Sequence, residues 1–160
     1  MTKQDILALI IARLESDLDI VQRAAQTAYE AATHEENVAE NKYDTLGLEA
    51  SYLATGQARR VEEIRQSLAL YRKWPARPFD ESRGIQTGDL ITLESDDGLA
   101  RYFFLGPDAA GLKIDADGKL VTVITARAPL GQSLLGKSEG DDVEIVVSGA
   151  RQSFEIVQTL

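Results

Sequence analysis

Glu35-Glu36-Asn37-Val38-Ala39-Glu40-Asn41-Lys42-Tyr43-Asp44 is an acidic break between two long stretches of heptad-patterned sequence. Before it, from Lys3 to Thr33, neither proline nor glycine interrupts the chain. Apolar residues recur there at every seventh place, with Leu7, Leu14, Val21 and Ala28 in one row and Ile11, Leu18, Ala25 and Ala32 in the other. This is the a/d pattern of a coiled-coil helix, carried through roughly four heptads. These 31 residues at ~1.5 Å each predict a rod on the order of 46 Å long. Thr2, with Asp5 three residues on, supplies a capping arrangement at its start. Leu and Ile in the seam give way to Ala near the break, so helices sharing the seam are expected to approach more closely there.

From about Asn41 to Tyr71 the seam resumes through Leu46, Ala50, Leu53, Gln57, Val61, Ile64, Leu68 and Tyr71. The step from Gln57 to Val61 repeats a step of four and so adds one residue to the heptad, a local change of phase. Gly56 lies beside it and costs roughly 1 kcal/mol of helix propensity relative to Ala. A bend or a close helix approach is therefore expected near Thr55-Gly56. Only a short turn joins the two helices, which makes them antiparallel neighbours. Trp74-Pro75-Ala76-Arg77-Pro78 ends the second helix, because proline has no N–H to donate and biases its predecessor toward extended geometry. Residues 1–74 thus read as a coiled-coil hairpin with an acidic tip.

Beyond Pro75 the period changes to that of strands. Asp89 to Ser95 and Ala100 to Leu105 flank a hairpin turn at Asp96-Asp97-Gly98. Leu112 to Ile114 and Leu120 to Thr125 flank a second turn at Asp115-Ala116-Asp117-Gly118. Pro129 to Leu135 reads as a short helix, with proline in its first turn and Gly136 past its end. Asp142 to Val147 and Gln152 to Val157 form a closing hairpin around Ser148-Gly149. Residues 75–160 are expected to be a separate α+β domain, an antiparallel sheet of five or six strands with one short helix. Phe79, Tyr102, Phe103, Phe104 and Phe154 read as its core.

Composition narrows the function. The formal charge is −9, which argues against gripping nucleic acid mainly by neutralising phosphates. Its distribution is uneven: Glu30, Glu35, Glu36, Glu40 and Asp44 crowd the break, while Arg59, Arg60, Arg65, Arg72 and Lys73 line the return toward the root. Two readings of these runs stand, a functional tip and ordinary solvated faces. With no cysteine, a disulfide framework, a thiolate metal site and a thiol nucleophile are all excluded. His34 is the only histidine, so no multi-histidine site or Ser-His-Asp triad can be built. No phosphate-binding glycine loop and no nucleophile elbow is present. The start of the chain lacks the basic region of a secretory signal, and no apolar run is long enough to span a bilayer. The expectation is a cytoplasmic, monomeric protein without a membrane anchor.

Two motifs point further. Ala128-Pro129-Leu130-Gly131-Gln132-Ser133-Leu134-Leu135-Gly136-Lys137, followed by Gly140-Asp141, resembles the Ser-Pro-x-x-x-Ala-Leu-(Leu/Ile)-Gly-Lys stretch of the GreA/GreB family of bacterial transcription elongation factors. At the break, Glu36-Asn37-Val38-Ala39-Glu40-Asn41 followed by Tyr43 resembles the same family's tip, Gly-Asp-Leu-x-Glu-Asn-x-x-Tyr. The resemblance implies that the C-terminal domain is FKBP-like and docks at the rim of RNA polymerase, with contacts at Pro129, Leu130 and Gly131. It implies that the hairpin enters the secondary channel, where Glu35, Asn41, Tyr43 and Asp44 contact the polymerase and the nascent RNA lies close by. Glu40, with Glu36 and Asn37, then helps hold a Mg²⁺ ion shared with the polymerase, whose own active site cleaves backtracked transcripts. On that reading the chain is an accessory factor, not an enzyme, and has no cofactor of its own. The sequence departs from the family at Asn37, which stands in the place of the tip Asp; its amide offers a carbonyl oxygen but no charge. Tyr43 stands one place early, Ala128 replaces the motif's serine and Ser133 its alanine.

Besides a structural coiled-coil partner that self-associates through the apolar seam, three functions remain open from the sequence. One is a factor that promotes transcript cleavage, and another is a non-cleaving occupant of the same channel that inhibits the polymerase or competes with cleavage factors. The third, of a different class, is an FKBP-like peptide-binding module carrying a helical arm. Glu40 has its own alternative as an acid placed for a helix dipole, and Asn41 as a cap for the returning helix.

Overall fold

A computed structural model describes residues 1–34 and 46–160, with only the backbone of residues 46, 47 and 50. Helix α1 spans Lys3–Thr33 and helix α2 spans Leu46–Lys73. The capping box forms as the sequence predicts. The Asp5 amide donates to Thr2 Oγ1 at 3.1 Å, and the Thr2 amide donates to Asp5 Oδ2 at 3.0 Å. The Thr2 amide, and after it the Thr2 hydroxyl, hold the Asp5 carboxyl below the usual carboxylate range.

All eight predicted seam residues of α1 are removed from solvent. Leu7, Leu14 and Ala28 are buried, and Ile11, Leu18, Val21, Ala25 and Ala32 half-buried. On α2, Val61, Ile64, Leu68 and Tyr71 are buried and Gln57 is half-buried. The upper part of that seam differs from expectation. Ala54 is half-buried, whereas Leu53 is 56% exposed. The stripe therefore runs 54, 57, 61, 64, 68, 71 in unbroken alternation of three and four, and the change of phase disappears. Leu46 and Ala50 fall among the side chains not described. Helix α2 is continuous through Gly56, and no heavy atom lies within 4 Å of where a Cβ would stand there. The predicted close approach at Gly56 is absent.

Six strands follow: β1 Leu90–Ser95, β2 Ala100–Leu105, β3 Lys113–Ala116, β4 Lys119–Ile124, β5 Asp142–Val147 and β6 Ala150–Thr159, with α3 Pro129–Leu134 between β4 and β5. They form one sheet in the order β3-β4-β2-β1-β6-β5. The sheet is not purely antiparallel, since β2 and β4 run parallel, with Tyr102 opposite Val121 and Leu105 opposite Ile124. Residues 106–118 lie between these two strands, enough chain for a parallel connection. The β3–β4 hairpin folds β4 inward from the edge. Its turn is fixed by the Asp115 carboxylate, which accepts the Gly118 amide at 2.9 Å, and by positive φ at Asp117 and Gly118.

Alternation along the strands divides the core. One face holds Ile91, Leu93, Leu105, Val143, Phe154 and Ile156, packed with Ile85 and with Leu134 of α3. Leu90, Phe104, Val121 and Val123 alternate with these and are also buried. The contacts group Met1–Ile11 and Leu70–Leu160 as one compact unit and Ala12–Ala69 as another. Within the first unit, the ends of both helices belong with the sheet. The Tyr71 and Phe104 rings lie 6.5 Å apart between centroids. Tyr71 Oη donates to the Asp108 carbonyl at 2.6 Å, and a Cβ at Gly106 would overlap that hydroxyl.

A buried ion pair makes the second attachment. Lys3 Nζ donates to Asp89 Oδ1 at 2.5 Å and to the Arg77 carbonyl at 2.7 Å. The two side chains are only 8% and 9% exposed. Asp89 Oδ2 accepts the Gln86 amide at 2.8 Å. Each charge thus has both a counter-charge and a further hydrogen bond, the condition under which burial is tolerated.

Two outcomes are expected. Lys3→Met strands the Asp89 carboxylate and should cost about 3–5 kcal/mol in urea unfolding, whereas Lys3→Met with Asp89→Asn should recover part of that loss; simple additivity would refute the coupling. Tyr71→Phe should cost roughly 1–2 kcal/mol at pH 7, since the Asp108 carbonyl loses its donor. Burial, and then the Asp108 carboxylate, push the Tyr71 phenol well above its ordinary value. The folded state therefore keeps a proton that the unfolded chain releases, and stability present below about pH 10 is lost as pH rises beyond it. Tyr71→Phe should lack that alkaline loss, and parallel stability–pH curves for the two proteins would contradict it.

Candidate functional site

Glu35, Glu36, Asn37, Glu40, Asn41, Tyr43 and Asp44 lie outside the described residues. What the structure shows is the pair of helix ends that carries them. On α1, Thr33 Oγ1 donates to the Tyr29 carbonyl at 2.9 Å and Thr27 Oγ1 to the Arg23 carbonyl at 3.0 Å. On α2, Thr55 Oγ1 donates to the Ser51 carbonyl at 3.0 Å. These hydroxyls are satisfied by their own helices. Outward groups here include Glu30, which accepts from Gln26 Nε2 at 3.0 Å, and the exposed side chains of Tyr29, Leu48, Tyr52 and Leu53. Of the small seam residues near the end of α1, Ala28 is buried and Ala25 and Ala32 are half-buried. Among the described residues no group of three or more His, Asp or Glu side chains can hold a metal ion.

The basic residues of α2 are dispersed over solvent. Arg59, Arg60 and Arg65 are exposed, and Arg60 pairs with Glu63 at 3.3 Å one turn on. Pairs of this kind contribute little in water.

The α3 motif is well defined. Ala128 adopts an extended conformation before the helix and offers no side-chain cap, Pro129 opens the first turn, and Ser133 Oγ donates to the Pro129 carbonyl at 2.9 Å. Ser133 thus closes its bond within the helix. Gly131 is buried, and a Cβ there would overlap the Thr125 carbonyl. Leu134 is fully buried in the core. Past the helix, Gly136 has φ +80° and its amide donates to the Ile85 carbonyl at 2.9 Å, while the Ile85 amide donates to the Lys137 carbonyl at 2.8 Å. Most of the motif locks α3 and its exit loop onto residues 84–85. Of the three residues singled out for contact, Pro129 is exposed, Leu130 half-buried and Gly131 buried.

Sequence reasoning passed over Lys3, Trp74, Gly88 and Asp89, which the fold brings together from three distant parts of the chain. No local pattern marks them, since the ion pair joins residues 86 places apart.

Comparison with known proteins follows the same division. The family model for the C-terminal domain of the transcription elongation factors GreA/GreB matches residues 82–159. The transcription elongation factor GreA of Desulfovibrio desulfuricans is 31% identical over 150 residues, covering 92% of this chain and 83% of that protein. GreA of Paracoccus denitrificans is 28% identical over 145 residues, covering 88% of this chain and 85% of its own. Among solved structures, the transcription factor Gfh1 is 20% identical with a TM-score of 0.40, covering 93% of this chain and 92% of that one. With identity above 30% sustained over almost the whole chain, both helices included, the protein belongs to the GreA/GreB family of transcription elongation factors.

Proposed function

We propose that this chain binds RNA polymerase as a monomer in the cytoplasm and places its acidic tip in the secondary channel to promote cleavage of backtracked transcripts. The observation that carries the reading is that kinship with a GreA extends over 92% of the chain and so takes in the hairpin as well as the sheet. Glu40 stands at the family's tip Glu. The donor set fits Mg²⁺, since Glu36, Asn37 and Glu40 offer hard oxygen ligands to an ion that keeps most of its waters. When bound, the ion supplies Lewis acidity and an activated water for phosphodiester hydrolysis. The residues of this chain hold and orient: the Glu40 carboxylate contributes charge, the Asn37 amide only a carbonyl oxygen, and Glu36 a second carboxylate. Pro129 and Leu130 offer the rim-facing contact. The factor supplies ligands and no nucleophile, and the bond is broken in the polymerase's own active site.

A second reading is favoured by one specific residue. Asn37 removes a charge from the place where the family carries Asp, which suits a channel occupant that does not stimulate cleavage. RNA cleavage by backtracked elongation complexes separates the two. Under the first reading the natural protein stimulates cleavage, and Glu40→Gln lowers the stimulation by about tenfold or more. Asn37→Asp should raise it. No stimulation by the natural protein, together with competition against an active cleavage factor, would replace the first reading by the second.

A further inference from the structure

We propose that a pocket at the root of the helices is a binding site for a small organic anion, an acid group on a flat apolar body. The inference is independent of the tip. The pocket has a volume of about 350 Å³ and lies wholly within the unit that contains the sheet. That volume falls at the lower end for small-molecule sites. Leu70, Trp74 and Pro75 provide apolar walls, and Leu70 remains 43% exposed. Gly88, at φ +105°, forms part of the floor against the Trp74 indole, where a Cβ would stand 2.7 Å from Nε1. Any side chain at 88 would fill the cavity at its aromatic wall.

The charge of the pocket is the more telling feature. Asp89 is its one acid, and both of its oxygens are engaged, by Lys3 Nζ and by the Gln86 amide. The Lys3–Asp89 pair is therefore neutral as a unit. Lys73 and Arg77 remain, and among the described residues neither has a carboxylate partner. The carbonyl end of α2 favours Lys73, but Arg77 lies beyond the helix and has no such account. The Trp74 indole N–H likewise has no acceptor among the described residues. Two unpaired cations and an unused donor around an apolar cavity, in a chain of formal charge −9, form a local site of opposite sign. An aromatic ring fits against Trp74 and Pro75 while its acid group meets Lys73 and Arg77.

The test uses the full-length protein and two probes alike in shape, 8-anilinonaphthalene-1-sulfonate and its uncharged relative N-phenyl-1-naphthylamine. The sulfonate is expected to bind saturably at one site and at least tenfold more tightly than the neutral probe. In amide and indole correlation spectra the largest shifts should fall on the Trp74 indole N–H and the Gly88 amide. Lys73→Gln with Arg77→Gln should abolish the preference for the sulfonate while leaving the spectrum otherwise folded. Equal affinity for the two probes, an unchanged preference in the double variant, or shifts centred elsewhere would each overturn the proposal.

Discussion

A lysine ammonium and an aspartate carboxylate have been taken out of water together at the root of this molecule, and the architecture around them follows from that. Neither charge can be buried alone, because desolvating an unpaired ion costs several kcal/mol or more. Lys3 must therefore meet Asp89, and the Arg77 carbonyl must lie near enough to accept a second Lys3 N–H. This brings the first turn of α1, the exit from α2 and the start of β1 to one place. Tyr71 makes the parallel demand from the other helix, since its buried hydroxyl needs the Asp108 carbonyl, and only glycine at 106 leaves it room. The helix ends are fixed to the sheet by directional polar bonds laid over apolar burial. Apolar contact alone would tolerate sliding; these bonds do not.

The sequence made the elements legible and left their partners obscure, for a physical reason. Heptad spacing is a local property, so all eight seam residues of α1 could be read directly and all eight turn away from water. On α2 the reading failed at one place, where a leucine and an alanine competed for the same seam position. Choosing Leu53 by hydrophobicity forced a phase change at Gln57; the helix instead keeps regular spacing, half-buries Ala54 and exposes Leu53. Periodicity outranked residue size there. Turns with Asp-Gly were equally local and equally readable. The parallel pairing of β2 with β4 was not, because nothing in either strand records the direction of a neighbour that arrives after residues 106–118. The Lys3–Asp89 pair was invisible for the same reason.

The two family motifs differ in what a fold can account for. In the α3 stretch most positions have a packing cause: Gly131 sits against the Thr125 carbonyl, Leu134 fills the core, and the Gly136 amide bonds to Ile85. Those residues would be required of any protein that closes a short helix onto this sheet, whatever it binds. Replacement of the motif's alanine by Ser133 is absorbed without leaving an open hydroxyl, since that group bonds to the Pro129 carbonyl. The motif identifies the fold far more than the contact, and Pro129, Gln132, Leu135 and Lys137 are the side chains it leaves at the surface.

The acidic run between the helices lies outside the described residues and has no packing account of this kind. An acidic run at the end of a hairpin costs electrostatic free energy in proportion to its crowding, and that cost falls when a cation or a basic surface is close. The value of Asn37 lies in this balance. Replacing one carboxylate by an amide lowers the self-repulsion of the tip and keeps an oxygen donor. It also weakens the attraction for a divalent ion, which depends on ligand charge more than on ligand count when the ion retains its waters. Under the proposed reading, a tip with Glu40 and a neutral Asn37 suits sharing a metal whose charge is already largely met by the polymerase better than recruiting one.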